Sequence, residues 1–201
     1  MGGVKIKSAT FLTSAPDLES CPEPGLPEIA FIGRSNVGKS SLLNMLCNRA
    51  NLAKVSATPG ATRLINFFTM NESWYLVDLP GYGFSKVKQE SRDKFQSAVS
   101  DYLSQRESLR CVCLLIDSRL PPQKIDLEFC GWLAAGDVPF VLVFTKSDKL
   151  KASKLKANVA TFLTAVSEIC SPAPSYFISS AKDGTGQREI LGFAANLLGK
   201  A

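Results

Sequence analysis

The sequence contains no histidine among its 201 residues. This absence excludes Ser-His-Asp and Cys-His nucleophilic schemes, together with every metal site that needs an imidazole ligand. Any chemistry in this chain must therefore use water, a metal ion, carboxylates, lysine amines or backbone groups.

Paired cysteine motifs and long apolar runs are missing as well. The six cysteines stand at positions 21, 47, 111, 113, 130 and 170, with no C-x-x-C pair. Cys111 and Cys113 alternate with Val112 in an apolar run, which predicts core thiols. The first 15 residues lack a long apolar stretch, so we expect no signal peptide, reduced thiols and a cytoplasmic protein. No run has the length of about 20 residues that a transmembrane helix needs, so we expect no membrane insertion.

The composition is that of an ordinary globular protein. Apolar residues make up 45% of the chain and charged residues 20%, and the net charge is +5. This mild positive excess permits contact with nucleic acid without requiring it. The length predicts one domain with a substantial core.

The most informative stretch is EIAFIGRSNVGKSSLLN, at residues 28–44. An apolar run leads into a loop that matches G-x-x-x-x-G-K-[ST], and an amphipathic helix follows, which predicts a phosphate-binding loop. Gly33 and Gly38 let backbone N–H groups point at phosphate oxygens, and the positive end of the helix faces the same anion. Lys39 adds a charge for the outer phosphates, and Ser40 offers a hydroxyl to Mg²⁺. The alternative is a glycine-rich turn with an incidental lysine.

A second motif, Asp78-Leu79-Pro80-Gly81, follows a predicted strand. A carboxylate at Asp78 can hold Mg²⁺ through water, and the N–H of Gly81 can reach a terminal phosphate. The pattern D-x-x-G also fits a simple turn, and its position about 40 residues after the phosphate loop is what favours the functional interpretation.

Two further motifs predict a guanine site. In Thr145-Lys146-Ser147-Asp148, the Asp148 carboxylate can accept hydrogen bonds from N1–H and the exocyclic amine of guanine, which adenine cannot supply. Thr145 stands where Asn is usual, and its hydroxyl can still tie this loop to the phosphate loop. Ser179-Ser180-Ala181 follows the last predicted strand, where the N–H of Ala181 can approach guanine O6. The alternative for the first of these motifs is a solvated charged loop.

The alternation of strands and helices from residue 110 onward predicts a three-layer α/β fold with a mainly parallel sheet and helices on both faces. Residues 3–12 are expected to form an edge strand or an extended arm, and 14–27, 50–62 and 79–85 to form loops. The other predicted strands are 29–32, 63–69, 74–78 and 111–117, and the segments 139–148 and 175–182 are each predicted to be a strand that runs into a loop. The other predicted helices are 89–106, 125–132, 151–169 and 187–198.

The four motifs, in this order, resemble those of the translation-factor class of P-loop GTPases. FIGRSNVGKSSLLN, TPGATRLINFF, WYLVDLPGYGFSKV and VFTKSDKL are similar to the EngB (YihA/YsxC-like) family of bacterial GTPases, over roughly residues 5–199. The resemblance implies a Ras-like G domain over 1–201, with an N-terminal arm at 1–27 and a GTP-binding core at 28–199. It also implies GTP hydrolysis with magnesium, a role in large ribosomal subunit assembly, and an association with cell division and septation.

The same resemblance implies a set of site residues. Nucleotide contacts fall on Gly33, Arg34, Ser35, Asn36, Val37, Gly38, Lys39, Ser40, Gly60, Ala61, Thr62, Arg63, Leu64, Asp78, Leu79, Pro80, Gly81, Thr145, Lys146, Ser147, Asp148, Ser179, Ser180 and Ala181, and magnesium contacts on Ser40, Thr62 and Asp78. Thr58 competes with Thr62, which we favour because it directly precedes a strand. Arg119 marks a departure, because many members carry a longer Arg-His-type signature there.

The mechanism predicted from these residues is slow GTP hydrolysis. Lys39 neutralises charge and Gly81 contacts the terminal phosphate, but Tyr82 stands where many such enzymes carry Gln, and a phenol cannot orient water in the same way. A partner or a bound potassium ion would then assist. Asn36 is the candidate potassium ligand, and its alternative role is to stabilise the loop.

The partner expected is the large ribosomal subunit or its precursor, bound by a monomer, with no DNA. Lys86, Lys88, Arg92 and Lys94 could contact RNA phosphates, although for any single one of them we slightly favour a solvated helix face. Two other functions compete with the GTPase switch. One is a P-loop kinase or ATPase, which TKSD disfavours, and the other is a binding module for a non-ribosomal partner that hydrolyses GTP only incidentally.

Overall fold

The protein is described here from a computed structural model, which covers residues 5–50, 52–53, 64–82 and 89–199, with the backbone alone for 89–96. Its strands are β1 (Ala9–Ala15), β2 (Glu28–Gly33), β3 (Ile65–Met70), β4 (Trp74–Asp78), β5 (Leu109–Asp117), β6 (Phe140–Thr145) and β7 (Tyr176–Ile178). Its helices are α1 (Lys39–Leu46), α2 (Gln89–Gln105), α3 (Lys124–Ala135), α4 (Ala152–Ser167) and α5 (Gln187–Leu197), and a 3₁₀ turn covers Ser147–Lys149.

The seven described strands form one sheet in the order β1-β3-β4-β2-β5-β6-β7. Strands β4, β2, β5, β6 and β7 are parallel neighbours, and β1 and β3 add an antiparallel edge. The central strands are continuous apolar runs because parallel strands with helices on both faces are buried on both sides. The predicted α/β fold with a mainly parallel sheet is confirmed.

Two apolar clusters hold the helices against opposite faces of the sheet. Alternation along β2 directs Ala30 and Ile32 to one face and Ile29 and Phe31 to the other. The first face packs against α2, α3 and α4, and the second against α1 and α5. Since the strand ends project between these layers, the loops that follow β2, β4, β5, β6 and β7 converge at one edge of the sheet.

The N-terminal segment is an edge strand rather than a free arm. Strand β1 pairs antiparallel with β3 and ends at Ala15, one residue beyond the predicted start of the loop at 14. The Asn71 side chain holds the start of this segment, since it accepts from the N–H groups of Lys7 (2.7 Å) and Ser8 (3.1 Å). Strand β3 ends at Met70, one residue beyond the predicted strand end at 69.

A buried polar cluster lies at the opposite edge of the sheet from these converging loops. The fully buried Glu28 accepts hydrogen bonds from Tyr102 Oη (2.6 Å), Ser108 Oγ (2.8 Å) and the Arg106 guanidinium (2.7 and 3.0 Å to Oε1). Arg106 also donates to the carbonyl of Pro22 at 2.6 Å. The cluster thereby fastens the proline-rich loop at 16–27 to the end of α2.

Within the described ranges, no helix is long and apolar enough to cross a membrane. All six cysteines carry free thiols, and five of them are buried. The loop predictions for residues 54–62 and 83–85 lie outside the described residues.

Candidate functional site

The loop between β2 and α1 is the centre of the candidate site. Gly33 ends β2 in a place without room for a side chain, since a Cβ there would lie 2.9 Å from Leu115 Cβ. Gly38 adopts φ 102°, which a residue with a side chain rarely tolerates. Val37 between them is buried at 3% exposure and anchors the loop to the core. The sequence therefore folds here into a tight turn whose backbone amides precede a helix N-terminus.

Inside this loop, a buried hydroxyl has no partner. Ser35 Oγ is shielded from solvent and makes no hydrogen bond within the described residues, and the same holds for Ser179 Oγ beside the predicted guanine motif. Buried polar atoms are normally paired, so such orphans are expected where a polar ligand completes the site.

Lys39 and Asp78 form an ion pair between the first two motifs. The Lys39 ammonium contacts Asp78 Oδ1, and both side chains are largely buried. Asp78 reaches this position because β4 pairs in parallel with β2, with Asp78 opposite Phe31. The Ser40 hydroxyl and the Asp78 carboxylate are hard oxygen donors of the type that Mg²⁺ prefers, so the residues present fit this ion.

The D-x-x-G segment lies directly against the start of the phosphate loop. Leu79 N–H donates to Phe31 O (3.0 Å), and Tyr82 N–H donates to Gly33 O (3.3 Å). A Cβ at Gly81 would lie 2.7 Å from Gly33 O, a contact that neither backbone could relieve without shifting. Only glycine fits this close approach, which explains the residue type at this point of the motif.

Tyr82 and Arg34 both point away from the loop and toward α3. The Tyr82 hydroxyl donates to Asp126 Oδ1 at 2.8 Å, and its ring stacks on Phe129 with centroids 4.6 Å apart. Arg34 Nε lies 3.6 Å from Asp126 Oδ1, and Nη1 donates to Gln123 Oε1 at 3.3 Å. The side chain of Arg34 and the phenol of Tyr82 are therefore both turned away from the phosphate loop.

Burial has the largest effect on the pKa values of Tyr82 and Asp126. Burial raises the pKa of Tyr82 well above its ordinary value, and the neighbouring Asp126 carboxylate reinforces the shift. Burial likewise raises the pKa of Asp126, although the hydrogen bond from Tyr82 and the charge of Arg34 counteract it. The phenol is thus a neutral hydrogen-bond donor at neutral pH.

The third motif is tied to the phosphate loop through two side chains. The Thr145 hydroxyl donates to Val37 O at 2.6 Å, which is the tie that the sequence suggested for this Asn-to-Thr replacement. Lys146 adopts φ 60°, and its ammonium donates to Asn36 O (2.5 Å) and to Asp117 Oδ2 (2.9 Å). The exposed Asn36 adopts φ 62°, a conformation that asparagine tolerates better than most residues.

The two guanine motifs are joined to each other. Ser180 Oγ donates to Asp148 Oδ1 at 3.0 Å, and the N–H of Ser147 donates to Ser179 O at 3.1 Å. The Asp148 side chain is 11% exposed, and its Oδ2 atom is shielded from solvent and lies 3.3 Å from the Lys149 ammonium. Desolvation raises its pKa, but hydrogen bonds from Ser180 and Lys149 outweigh this and lower the pKa. Asp148 is therefore an ionised acceptor pair with one oxygen oriented by Ser180.

Asp117 is a site residue that the motif analysis missed. It ends β5, accepts two hydrogen bonds from the Arg119 guanidinium (2.9 and 2.8 Å) and holds the Lys146 ammonium. The available signal was an acid at the end of the apolar run CVCLLID, at the same edge of the sheet as the other motifs. Burial raises its pKa, but the hydrogen bonds from Arg119 and Lys146 prevail and lower the pKa to about 2.

This depressed pKa predicts a pH dependence of stability. Because the folded-state pKa of about 2 lies below the ordinary 3.8, ionised Asp117 stabilises the fold above pH 4, and this contribution is lost as the pH falls toward 2. Asp117→Asn is expected to flatten the acid limb of the curve of unfolding free energy against pH, measured by urea titration. An unchanged acid limb would contradict this assignment.

Several predicted site residues lie wholly or partly outside the described part of the structure. Gly60, Ala61, Thr62 and Arg63 lie outside the described residues, as do Thr58, Lys86 and Lys88, and for Arg92 and Lys94 only the backbone is described. Leu64 is described and is 39% exposed. Ala181, the last residue of the fourth motif, is exposed. The choice between Thr62 and Thr58 stays a prediction.

The sheet order, the phosphate loop and the joined third and fourth motifs define a P-loop GTPase. A family model described as "50S ribosome-binding GTPase" matches residues 28–146. The "Probable GTP-binding protein EngB" of Bacteroides thetaiotaomicron is 51% identical over 194 residues, covering 96% of each chain. That of Porphyromonas gingivalis is 47% identical over 190 residues, covering 94% of each chain. The chain belongs to the EngB family of GTP-binding proteins.

Solved structures agree on the fold. A crystal structure of a probable GTP-binding protein EngB superposes with a TM-score of 0.69 at 22% identity, over 85% of this chain and 98% of that one. A variant of Aquifex aeolicus Era bound to GDP·AlF₄⁻ superposes with a TM-score of 0.71 at 21% identity, over 88% of this chain and 58% of that one. At this identity the likeness concerns the fold alone.

Proposed function

We propose that this GTPase is a slow, magnesium-dependent switch in the assembly of the large ribosomal subunit, and that normal cell division and septation depend on it. The observation that carries the proposal is the joined pair of guanine motifs, which Thr145 and Lys146 bind to the phosphate loop. The chain also matches a family that is described as ribosome-binding. A solved structure of the fold neighbour Era contains a segment of 16S ribosomal RNA. We also propose that the protein is a cytoplasmic monomer, that one G domain spans residues 1–201, and that the protein binds no DNA.

In the proposed mechanism, this chain's residues bind and orient GTP. Amides of 33–40 hold the phosphates, Asp148 and the N–H of Ala181 read guanine, and the N–H of Gly81 contacts the terminal phosphate. Lys39 must leave Asp78 to reach the outer phosphates. Ser40, Thr62 and Asp78 would hold Mg²⁺, which neutralises charge on the phosphates when bound. Tyr82 directly follows Gly81, and its hydroxyl is engaged by Asp126 rather than directed at an attacking water, which makes the intrinsic rate slow.

We further propose that potassium assists hydrolysis through Asn36, the exposed loop residue whose carbonyl is held by Lys146. Exchanging potassium for sodium at constant ionic strength is expected to lower the rate of GTP hydrolysis several-fold. Asn36→Asp should blunt that difference, because it changes the ligand and the local charge. Equal rates in the two salts would assign Asn36 to loop stabilisation alone.

The ribosomal part of the proposal is tested by co-sedimentation with large ribosomal subunits at fixed magnesium and salt. We expect binding with a non-hydrolysable GTP analogue and little binding with GDP. Binding that is equal in both states would remove the switch. Absence of binding in both states would favour the second function, a GTP-dependent module for a non-ribosomal partner whose hydrolysis is incidental, which the absence of a water-orienting residue at Tyr82 supports.

A further inference from the structure

Beyond the motif residues, we propose that Asp126 is a positioning residue for GTP hydrolysis, which acts through Tyr82 to fix Gly81 against the phosphate loop. Asp126 lies in the first turn of α3, outside all four motifs, and its residue is only 3% exposed. Its Oδ1 atom is shared by the Tyr82 hydroxyl (2.8 Å) and Arg34 Nε (3.6 Å). One buried carboxylate thus contacts both the residue after Gly81 and the residue after Gly33.

These two contacts hold the segment that contains Gly81 at a defined place. The backbone of Tyr82 is bound to Gly33 O and forms a bridge with Arg34, so that Gly81 is enclosed between the β4 pairing and the Tyr82 anchor. A donor N–H stabilises charge in a transition state best when its position is fixed in advance. Asp126 supplies this fixation from outside the nucleotide site.

A ring stack and a directional hydrogen bond hold Tyr82. Its ring borders a cavity of about 350 Å³, which is also lined among the described residues by Pro80, Val99, Leu103, Glu128 and Trp132. The ring stacks on Phe129, and the hydrogen bond to Asp126 fixes the position of its hydroxyl. The inference rests on the proposed contact between Gly81 and the terminal phosphate.

The kinetic test uses Asp126→Ala, Tyr82→Phe and the double variant of the full chain. Each single variant is expected to lower kcat/KM for GTP about fivefold to tenfold, since each removes the hydrogen bond to a charged acceptor. The double variant should lose no more than Asp126→Ala alone, because both changes break one contact. The Kd of GDP should stay within twofold, as GDP lacks the phosphate that Gly81 contacts. Asp126→Asn, which keeps an acceptor for the phenol, should retain most of the activity.

A spectroscopic signature separates positioning from general damage to the fold. Trp132 stacks on Phe129 with centroids 5.8 Å apart, which makes it the outer member of the aromatic row beginning at Tyr82. Trp74, the other tryptophan, is buried in the opposite apolar cluster and gives a constant background. Release of Tyr82 by Asp126→Ala should shift Trp132 emission to the red. Lys124→Gln, a change at an exposed residue on the same helix that does not line this cavity, is the matched control and should alter neither rate nor emission.

The outcomes distinguish this inference from the function on which it rests. Any of four results would overturn the role of Asp126. These are losses that multiply in the double variant, a parallel loss of GDP affinity, a raised kcat, and no change in any variant. If Gly81→Ala left GTP turnover unchanged, the proposed role of Gly81 would fall, whatever the other variants did.

Discussion

Asp148→Asn is expected to weaken GDP and GTP binding about 10³-fold and to create affinity for xanthosine nucleotides. The carboxylate is ionised, and its two oxygens can accept from N1–H and the exocyclic amine of guanine. Each hydrogen bond to a charged group contributes about 1.5–3 kcal/mol, and an Asn amide would face the exocyclic amine donor to donor. Xanthine carries a carbonyl in place of that amine, so the Asn N–H₂ group can donate to it.

The measurement is the Kd of GDP and of XDP for the wild type and the variant by isothermal titration. Asp137→Asn is the matched control, because Asp137 is exposed in the turn before β6 and asparagine tolerates its φ of 52°. We expect that control to leave both affinities unchanged. A variant that keeps GDP affinity and gains none for XDP would show that Asp148 does not read the base.

The sequence predicted most of what depends on local pattern. Glycines at fixed spacing identified the phosphate loop because its tight turn excludes side chains. Gly81 identified the second motif in the same way, because its close approach to Gly33 leaves no room for a side chain. Strand ends placed Asp78, Thr145 and Ser179 at one edge, since parallel strands bring their carboxyl ends together. Helix boundaries were less exact: α3 extends to Ala135 rather than 132, because the buried Leu133 continues its apolar face and Gly136 caps the helix.

The contacts that the sequence could not predict join residues far apart in the chain. Tyr82 and Asp126 are 44 positions apart, and Arg106 and Glu28 are 78 apart. The residues around a tyrosine that follows D-x-x-G do not indicate its hydrogen-bond partner. An Asp in the first turn of a helix is common, because its negative charge interacts favourably with the helix dipole. Only the tertiary contacts of α3 with Tyr82 and Arg34 show that this Asp is shared by two segments of the site.

The largest expected effect on stability is that of Arg106→Ala, at about 3–5 kcal/mol of unfolding free energy. The substitution leaves the fully buried Glu28 carboxylate without its only cationic partner among the described residues, and breaking a buried pair on one side costs this much. It also frees the carbonyl of Pro22 and removes the guanidinium from the face of the Phe67 ring, 5.7 Å away. Urea unfolding at pH 7 measures the loss, and Lys124→Ala, which breaks the exposed pair with Glu128, should cost about 0.3–0.5 kcal/mol.

A second change shows whether the charge of Glu28 causes the loss. Adding Glu28→Gln to Arg106→Ala removes the unpaired charge, so the double variant should be more stable than Arg106→Ala alone. A deficit that is equal in the single and double variants would mean that Arg106 acts through packing against Phe67 and Pro22 rather than through charge.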